Sequence, residues 1–424
     1  MVTPKLILVF ALASIASRPL YAQTLEITPP RALMDKSVVI RATGLRPNER
    51  VTIRAELSDG MDHRWNSEAE FVADQQGAVD ASRQAPVKGS YKVLSPMGLI
   101  WSMLPSEKNA ASYAPPRALA PQIINFSLLR NSLVISAGQF EQLRIADGVR
   151  RVNLLGGLHG TLFLPTNTER HPAVLVVGGS EGGVPVEKAV WLASHGYPAL
   201  ALAYFRYEDL PSQLAGIPLE YFAQAIGWLR ERPEVLPDRI AVIGTSRGGE
   251  LALLLGSMVP EIRTVVAYVP ASYLVPACCR QPPVPYAWTW EGKPLSYAPI
   301  RAGRDVAAIQ RASIHVEKTN GPILLISGES DGVWESASMA DAIVDRLKHT
   351  HFAFRYENLK YAHAGHRAGR PEIVPTWHGQ MRHPVSGMPM ELGGNARGDA
   401  ESSVDAIPKV LEFLRQSLQE PASP

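Results

Sequence analysis

Ser246 is the residue on which a reaction could turn. It sits in Gly244-Thr-Ser-Arg-Gly248, between the apolar run Ile240 to Ile243 and a stretch with Leu251, Leu254 and Leu255 at helical spacing. Strand, G-x-S-x-G, helix is the context in which a serine hydroxyl is lifted on a tight turn above a sheet edge. The glycines follow from sterics, because a Cβ two residues before or after the serine would collide with neighbouring backbone. The turn also leaves the Arg247 N–H at a helix start, where the dipole favours an oxyanion developing on an attacked carbonyl.

A serine hydroxyl is a poor nucleophile at neutral pH. It needs a histidine to take its proton and a carboxylate to fix that histidine's tautomer. On sheets that carry this turn the chain order is Ser, acid, His. The acid is expected at Asp331, in Gly328-Glu-Ser-Asp-Gly332 behind the apolar run Ile323 to Ser327. The base is expected at His366, in Tyr361-Ala-His-Ala-Gly-His366 behind a strand over Phe352 to Tyr356. Glu329 competes for the first role, and His363, His378 and His383 for the second. The second oxyanion donor is expected from Gly178-Gly-Ser-Glu-Gly-Gly183, where small residues let backbone N–H groups approach a ligand; Ser180 and Glu181 are the candidates. That loop carries neither a P-loop Lys-Ser/Thr nor G-x-G-x-x-G, which speaks against a phosphate cradle.

No metal or organic cofactor is needed for this chemistry. The pair His363/His366 comes with no carboxylate motif, and the two cysteines, Cys278 and Cys279, are adjacent with no second pair. Neither pattern predicts a zinc site or a disulfide framework; the cysteines could be thiols or a vicinal disulfide.

The elements that must position these residues read as two domains, and 424 residues are enough for two cores. Within the first, 25–145 with its linker, residues 25–108 read as all-β: Val38, Ile40 and Ala42, then Val51, Ile53, Ala55 and Leu57, alternate with other residues between turn signals. This predicts a small β-sandwich with Ala110 to Pro121 as linker and edge strands over Leu128 to Arg150. Over 150–420 apolar strands (Ala173 to Val177, Tyr197 to Ala203, Ile240 to Ile243, Val265 to Val269, Ile323 to Ser327) alternate with helices (Glu220 to Arg230, Ser336 to Leu347, Ala406 to Leu418). That predicts an α/β domain, its mostly parallel sheet covered by helices on both faces. In the helix Glu220 to Arg230, Tyr221, Ala225, Trp228 and Leu229 are expected on one face. The proline- and aromatic-rich segment 271–315 is placed to cover the strand ends as a lid or pocket wall.

A formal net charge of +2 and the lack of a basic stripe give no case for nucleic acid as a partner. Leu6 to Ala16 is an apolar run behind a single positive charge, too short to span a membrane. It predicts a signal peptide over 1–22, cleaved after Ala16 or Ala22, and an exported protein. No later stretch has the length of a membrane span, so no stable membrane insertion is expected.

The wording around Ser246 (Gly-Thr-Ser-Arg-Gly-Gly-Glu-Leu), with Ala203-Tyr-Phe-Arg-Tyr-Glu-Asp-Leu-Pro211 and Leu219-Glu-Tyr-Phe222 before it, resembles the acyl-CoA thioesterases related to bile acid-CoA:amino acid N-acyltransferase. Asp74-Gln-Gln-Gly77 and Ser95-Pro-Met-Gly-Leu-Ile-Trp-Ser102 resemble that family's N-terminal immunoglobulin-like domain. Gly328-Glu-Ser-Asp-Gly-Val-Trp-Glu-Ser336 and Ala364-Gly-His366 are similar to its acid and histidine segments. The resemblance runs from about residue 28 to the C-terminus and departs between Arg367 and Gly398. It implies an immunoglobulin-like sandwich before an α/β-hydrolase domain, with Ser246, Asp331 and His366 as a triad. The amino-acid-conjugating branch uses cysteine as nucleophile, so Ser246 favours hydrolysis. The expected activity is hydrolysis of a small-molecule acyl thioester through an acyl-enzyme. A carboxylesterase acting on oxygen esters is the alternative, and a non-catalytic binding protein on the same scaffold a second one.

Overall fold

The computed structural model describes residues 22–419, except Leu155, Thr168, Arg280 and residues 301–304. The expected signal peptide lies outside the described residues but for Ala22. Apolar runs with no polar alternation have no face to offer water, so they become strands covered on both sides. Eight strands form the large sheet of the α/β domain and are numbered along the chain: β1 Arg150–Asn153, β2 His159–Leu164, β3 His171–Val177, β4 Ala199–Ala203, β5 Val235–Thr245, β6 Ile262–Tyr268, β7 Ile323–Gly328 and β8 Tyr356–Tyr361. Their order is β1-β2-β4-β3-β5-β6-β7-β8. Only β2 runs against both its neighbours, and the rest from β4 to β8 are parallel. This is the α/β-hydrolase arrangement.

Five helices cover it: α1 Val186–Ser194, α2 Leu219–Arg230, α3 Arg247–Met258, α4 Ser336–His349 and α5 Ala396–Gln419. Alternation along β3 divides the core. Val174 and Val176 join Trp191 of α1 and Phe413 of α5. Ala173, Leu175 and Val177 join Phe222 of α2, Leu251 of α3 and Ile343 of α4.

Several expected boundaries move. β4 begins at Ala199, and in place of the strand expected over Phe352 to Tyr356 the chain forms β8 over Tyr356–Tyr361, six residues none of which is fully buried, Leu359 among the half-buried ones. The buried face of α2 is Phe222, Ala225, Ile226 and Leu229. Tyr221 and Trp228 flank it instead, because each has a polar or charged companion: the Tyr221 hydroxyl donates to the Ala203 carbonyl at 2.8 Å, and Arg232 stacks on Trp228 at 4.4 Å. α5 starts at Ala396 rather than Ala406 and carries Pro408 inside it. Its early polar residues hold other backbone: Asp399 accepts the Gly365 N–H at 2.8 Å, and the Ser402 hydroxyl accepts that of Gly369 at 2.9 Å.

Before this sheet, Thr24–Thr28, Val39–Thr43 and Val79–Asp80 form a small sheet, packed on a larger one through contacts such as Ile27 against Gly138. Within the segment expected as edge strands, Leu133–Leu143 is next to outermost in the larger sheet, with only the three-residue strand Arg31–Leu33 beyond it. Gln122–Arg130 lies between Arg50–Ser58 and Leu133–Leu143, with Ile124, Phe126 and Leu128 buried. Sandwich and α/β domain share one apolar cluster, and Trp65 meets Trp377 edge-on at 6.0 Å. Gln142 donates to the Ile373 carbonyl at 2.8 Å across the same boundary. No described helix is long and apolar enough to cross a membrane.

Candidate active site

β5 ends at Thr245 and α3 begins at Arg247, so Ser246 alone makes the turn, with φ 60° and ψ −120°. A left-handed serine is strained and needs surroundings that enforce it. A Cβ on Gly244 would stand 1.8 Å from the Gly248 carbonyl oxygen, and one on Gly248 would stand 2.4 Å from that of Gly178. Ser246 N–H is fixed to the Tyr268 carbonyl at 2.9 Å. Arg247 opens α3, so its N–H has no carbonyl four residues back to bond.

His366, beyond the end of β8, places Nε2 at 2.9 Å from the Ser246 hydroxyl. Its Nδ1 lies 2.8 and 3.0 Å from the two carboxylate oxygens of Asp331, beyond β7. The side chains are 9% and 1% exposed, so water competes little for these bonds. Asp331 also accepts the N–H groups of Val333 and Trp334 at 2.9 and 3.3 Å, and the Trp334 ring stands edge-on to the imidazole at 5.3 Å. Parallel strands deliver all three residues to one edge of the sheet.

The competing residues go elsewhere. Glu329 and His363 are exposed. His378 bridges to Ser112 of the sandwich side, with its pKa lowered by burial and by Arg367. His383 does enter the site, with Nε2 at 2.8 Å from the Ser180 hydroxyl; burial lowers its pKa. The Gly178–Gly183 loop passes Ser246 closely, a Cβ on Gly179 lying 3.4 Å from that of Ser246. The Glu181 carboxylate folds back to accept the Gly179 N–H at 3.1 Å, leaving the side chain as a brace of the loop.

Three features were invisible to motif reading. Lys188 of α1 is buried under the turn, donating to the Thr245 hydroxyl at 2.7 Å with its amine 3.3 Å from the Tyr268 ring centre; burial drives its pKa well down. The Arg247 side chain pairs with Glu250 at 3.3 Å and donates to the Val275 carbonyl at 3.1 Å. Glu250 accepts from Trp288 Nε1 at 2.7 Å, so this buried pair fastens the 275–288 segment to α3. Finally, the Leu392 carbonyl accepts the N–H groups of both Gly332 and His366, at 3.2 and 2.8 Å. The segment that departs from family wording is thus a strap across the acid and base loops.

A cavity of about 690 Å³ opens over Ser246 and His366, walled by residues that include Pro276, Ile300, Trp334 and Met388. Residues of the expected lid or wall therefore border it, while Trp288 from the same segment is buried in the core. Cys278 and Cys279 are joined to each other, and His383 lies beside them with its Nε2 3.7 Å from Cys279 Sγ. Cys278, Cys279 and His383, and separately His159, Glu208 and Asp209, bring potential ligand atoms within 4.8 Å of one another. Disulfide sulfurs offer no thiolate to a metal, so the first group could ligate only when reduced.

A family model described as the BAAT/acyl-CoA thioester hydrolase C terminal matches residues 217–420, and one described as the acyl-CoA thioester hydrolase/BAAT N-terminal region matches residues 35–155. The chain is 31% identical to mouse acyl-coenzyme A amino acid N-acyltransferase 1, over 93% of this chain and 98% of that one. It is 28% identical to human acyl-coenzyme A thioesterase 1, over 94% and 97%. Among solved structures, a puromycin-hydrolyzing peptidase of Mycobacterium tuberculosis matches at 15% identity and TM-score 0.44, over 90% of this chain and 55% of that one.

Proposed function

The chain belongs to the family of acyl-CoA thioester hydrolases and bile acid-CoA:amino acid N-acyltransferases, and from that premise we propose that it is a serine hydrolase that cleaves acyl thioesters. The observation that carries the serine mechanism is one imidazole within hydrogen-bond reach of both the Ser246 hydroxyl and the Asp331 carboxylate. His366 Nε2 takes the Ser246 proton as Oγ attacks the thioester carbonyl. The tetrahedral oxyanion is received by the Arg247 N–H and by the backbone N–H of Ser180 or Glu181. His366 then returns the proton to the departing thiol. A water that gives a proton to Nε2 attacks the acyl-serine, and the free acid leaves as Ser246 is restored. Asp331 holds the Nδ1 proton throughout.

The apolar run Leu6 to Ala16 supports export, with the mature chain starting after Ala16 or Ala22. Mass spectrometry of the secreted product tests this; a chain that still begins at Met1 would refute it. The enzymatic reading is tested by kcat/KM for one acyl group presented as a CoA thioester and as a simple ester, beside Ser246→Ala. Thioester preference lost in the variant is the expected result. An ester preference would make the protein a carboxylesterase, and equal rates for variant and wild type would remove Ser246 from the chemistry.

A further inference from the structure

Arg367 directly follows the base and lines the same cavity as Ser246. Its Nε is buried with no hydrogen-bond partner, and among the described residues no carboxylate forms an ion pair with its guanidinium. The carboxylates of Glu372 and Asp399 reach it by charge without closing to an ion pair. Glu372 faces Arg370 at 3.6 Å, and Asp399 accepts the Gly365 N–H at 2.8 Å. Burial, with the neighbouring Arg370, outweighs the charges of Glu372 and Asp399 and pushes the Arg367 pKa down to about 9. Arg370 lines the cavity too and is largely exposed.

An unpaired guanidinium on a pocket wall is costly unless an incoming anion completes it. A site for a purely aliphatic acyl group would have apolar residues there. We propose that Arg367, with Arg370 at the rim, forms an anion-recognising subsite that takes a carboxylate or phosphate carried by the substrate away from its reacting carbonyl. This rests on the hydrolase reading above and narrows it. The planar fork of Arg367 suits either oxyanion, in two parallel charge-assisted hydrogen bonds. A carboxylate would come from the acyl group, a phosphate from the thiol carrier.

Three thioesters separate these sources: butyryl-N-acetylcysteamine, which is neutral; succinyl-N-acetylcysteamine, charged on the acyl side; and butyryl-CoA, charged on the carrier. The expected result is a kcat/KM at least tenfold above the neutral compound for one charged thioester. Arg367→Gln should reduce that ratio at least tenfold, mainly through KM, and Arg367→Lys should restore part of it. Ratios near one in the wild type, or a ratio unchanged in Arg367→Gln, overturn the subsite. If the variant does not fold, competition on the wild type decides. Succinate or 3′-phosphoadenosine 5′-diphosphate should inhibit at concentrations where neutral butyramide does not, and equal potency overturns the proposal. Failure of the hydrolase reading is seen separately, as turnover that survives Ser246→Ala.

Discussion

At the residue scale, the site depends on a backbone conformation that serine would not choose. Ser246→Ala keeps the turn and removes the nucleophile, so kcat should fall at least ~10³-fold with an unchanged thermal midpoint. Gly244→Ala does the opposite. The new Cβ would meet the Gly248 carbonyl oxygen at 1.8 Å, so the strand or the elbow must shift. The expected loss is about 3 kcal/mol or more, read from a denaturant melt. Ser246, Asp331 and His366 were legible in the sequence because each sits in a local pattern: glycines around a turn, or an apolar strand ending in a short loop. Arg367, Lys188 and His383 were not. A single polar residue acquires meaning from what folds against it, and the partners of Lys188 and His383 lie at Thr245 and Ser180, far off in the chain.

At the scale of elements, the strap at Leu392 and the joint at Asp35 carry the most strain on prediction. Gly393 has φ +67°, and a Cβ there would approach the Ser330 carbonyl oxygen to 1.9 Å. Gly393→Ala should therefore displace the acid loop and lower kcat while Ser246 stays in place, checked by kinetics alongside circular dichroism. Asp35 joins the sandwich to α1, with Trp191 Nε1 at 3.3 Å and His195 Nε2 at 3.0 Å from its carboxylate. Burial raises the Asp35 pKa, but the hydrogen bond and charge of His195, with Lys36 and Trp191, outweigh it and leave the pKa lowered. A lowered folded pKa means that the unfolded chain binds the proton more readily. The stabilisation is full above the ordinary carboxylate pKa and is lost as pH falls through the folded value. Asp35→Asn should cost about 1–3 kcal/mol at neutral pH and flatten the acid limb of a stability-against-pH curve. The sequence showed that β3, β5 and β7 exist, since each holds a continuous apolar run, Ala173 to Val177, Ile240 to Ile243 and Ile323 to Ile326. It misjudged α2 and β8, where half-buried side chains such as Tyr221 and Leu359 follow tertiary partners more than periodicity.

At the scale of the whole molecule, a single apolar cluster runs from Ile40 and Phe126 of the sandwich through Trp191 to Phe413 of α5. Two patterns in the sequence suggested two domains, yet their cores are not separate. Calorimetry should show one cooperative transition, and two resolved transitions would contradict a shared core. The strap across the catalytic loops has a consequence for a chain still being made. By the time His366 has been added, the proposed nucleophile, acid and base are all present, but the carbonyl of Leu392 and the carboxylate of Asp399 that seat the His366 loop are not. The growing polypeptide is thus expected to hold its full set of reacting groups before it can use them, competence waiting on the residues from Leu392 to Asp399. A chain stopped at Pro389 should show no turnover even at high concentration, whereas a burst of activity from it would mean that the loops find their places unaided.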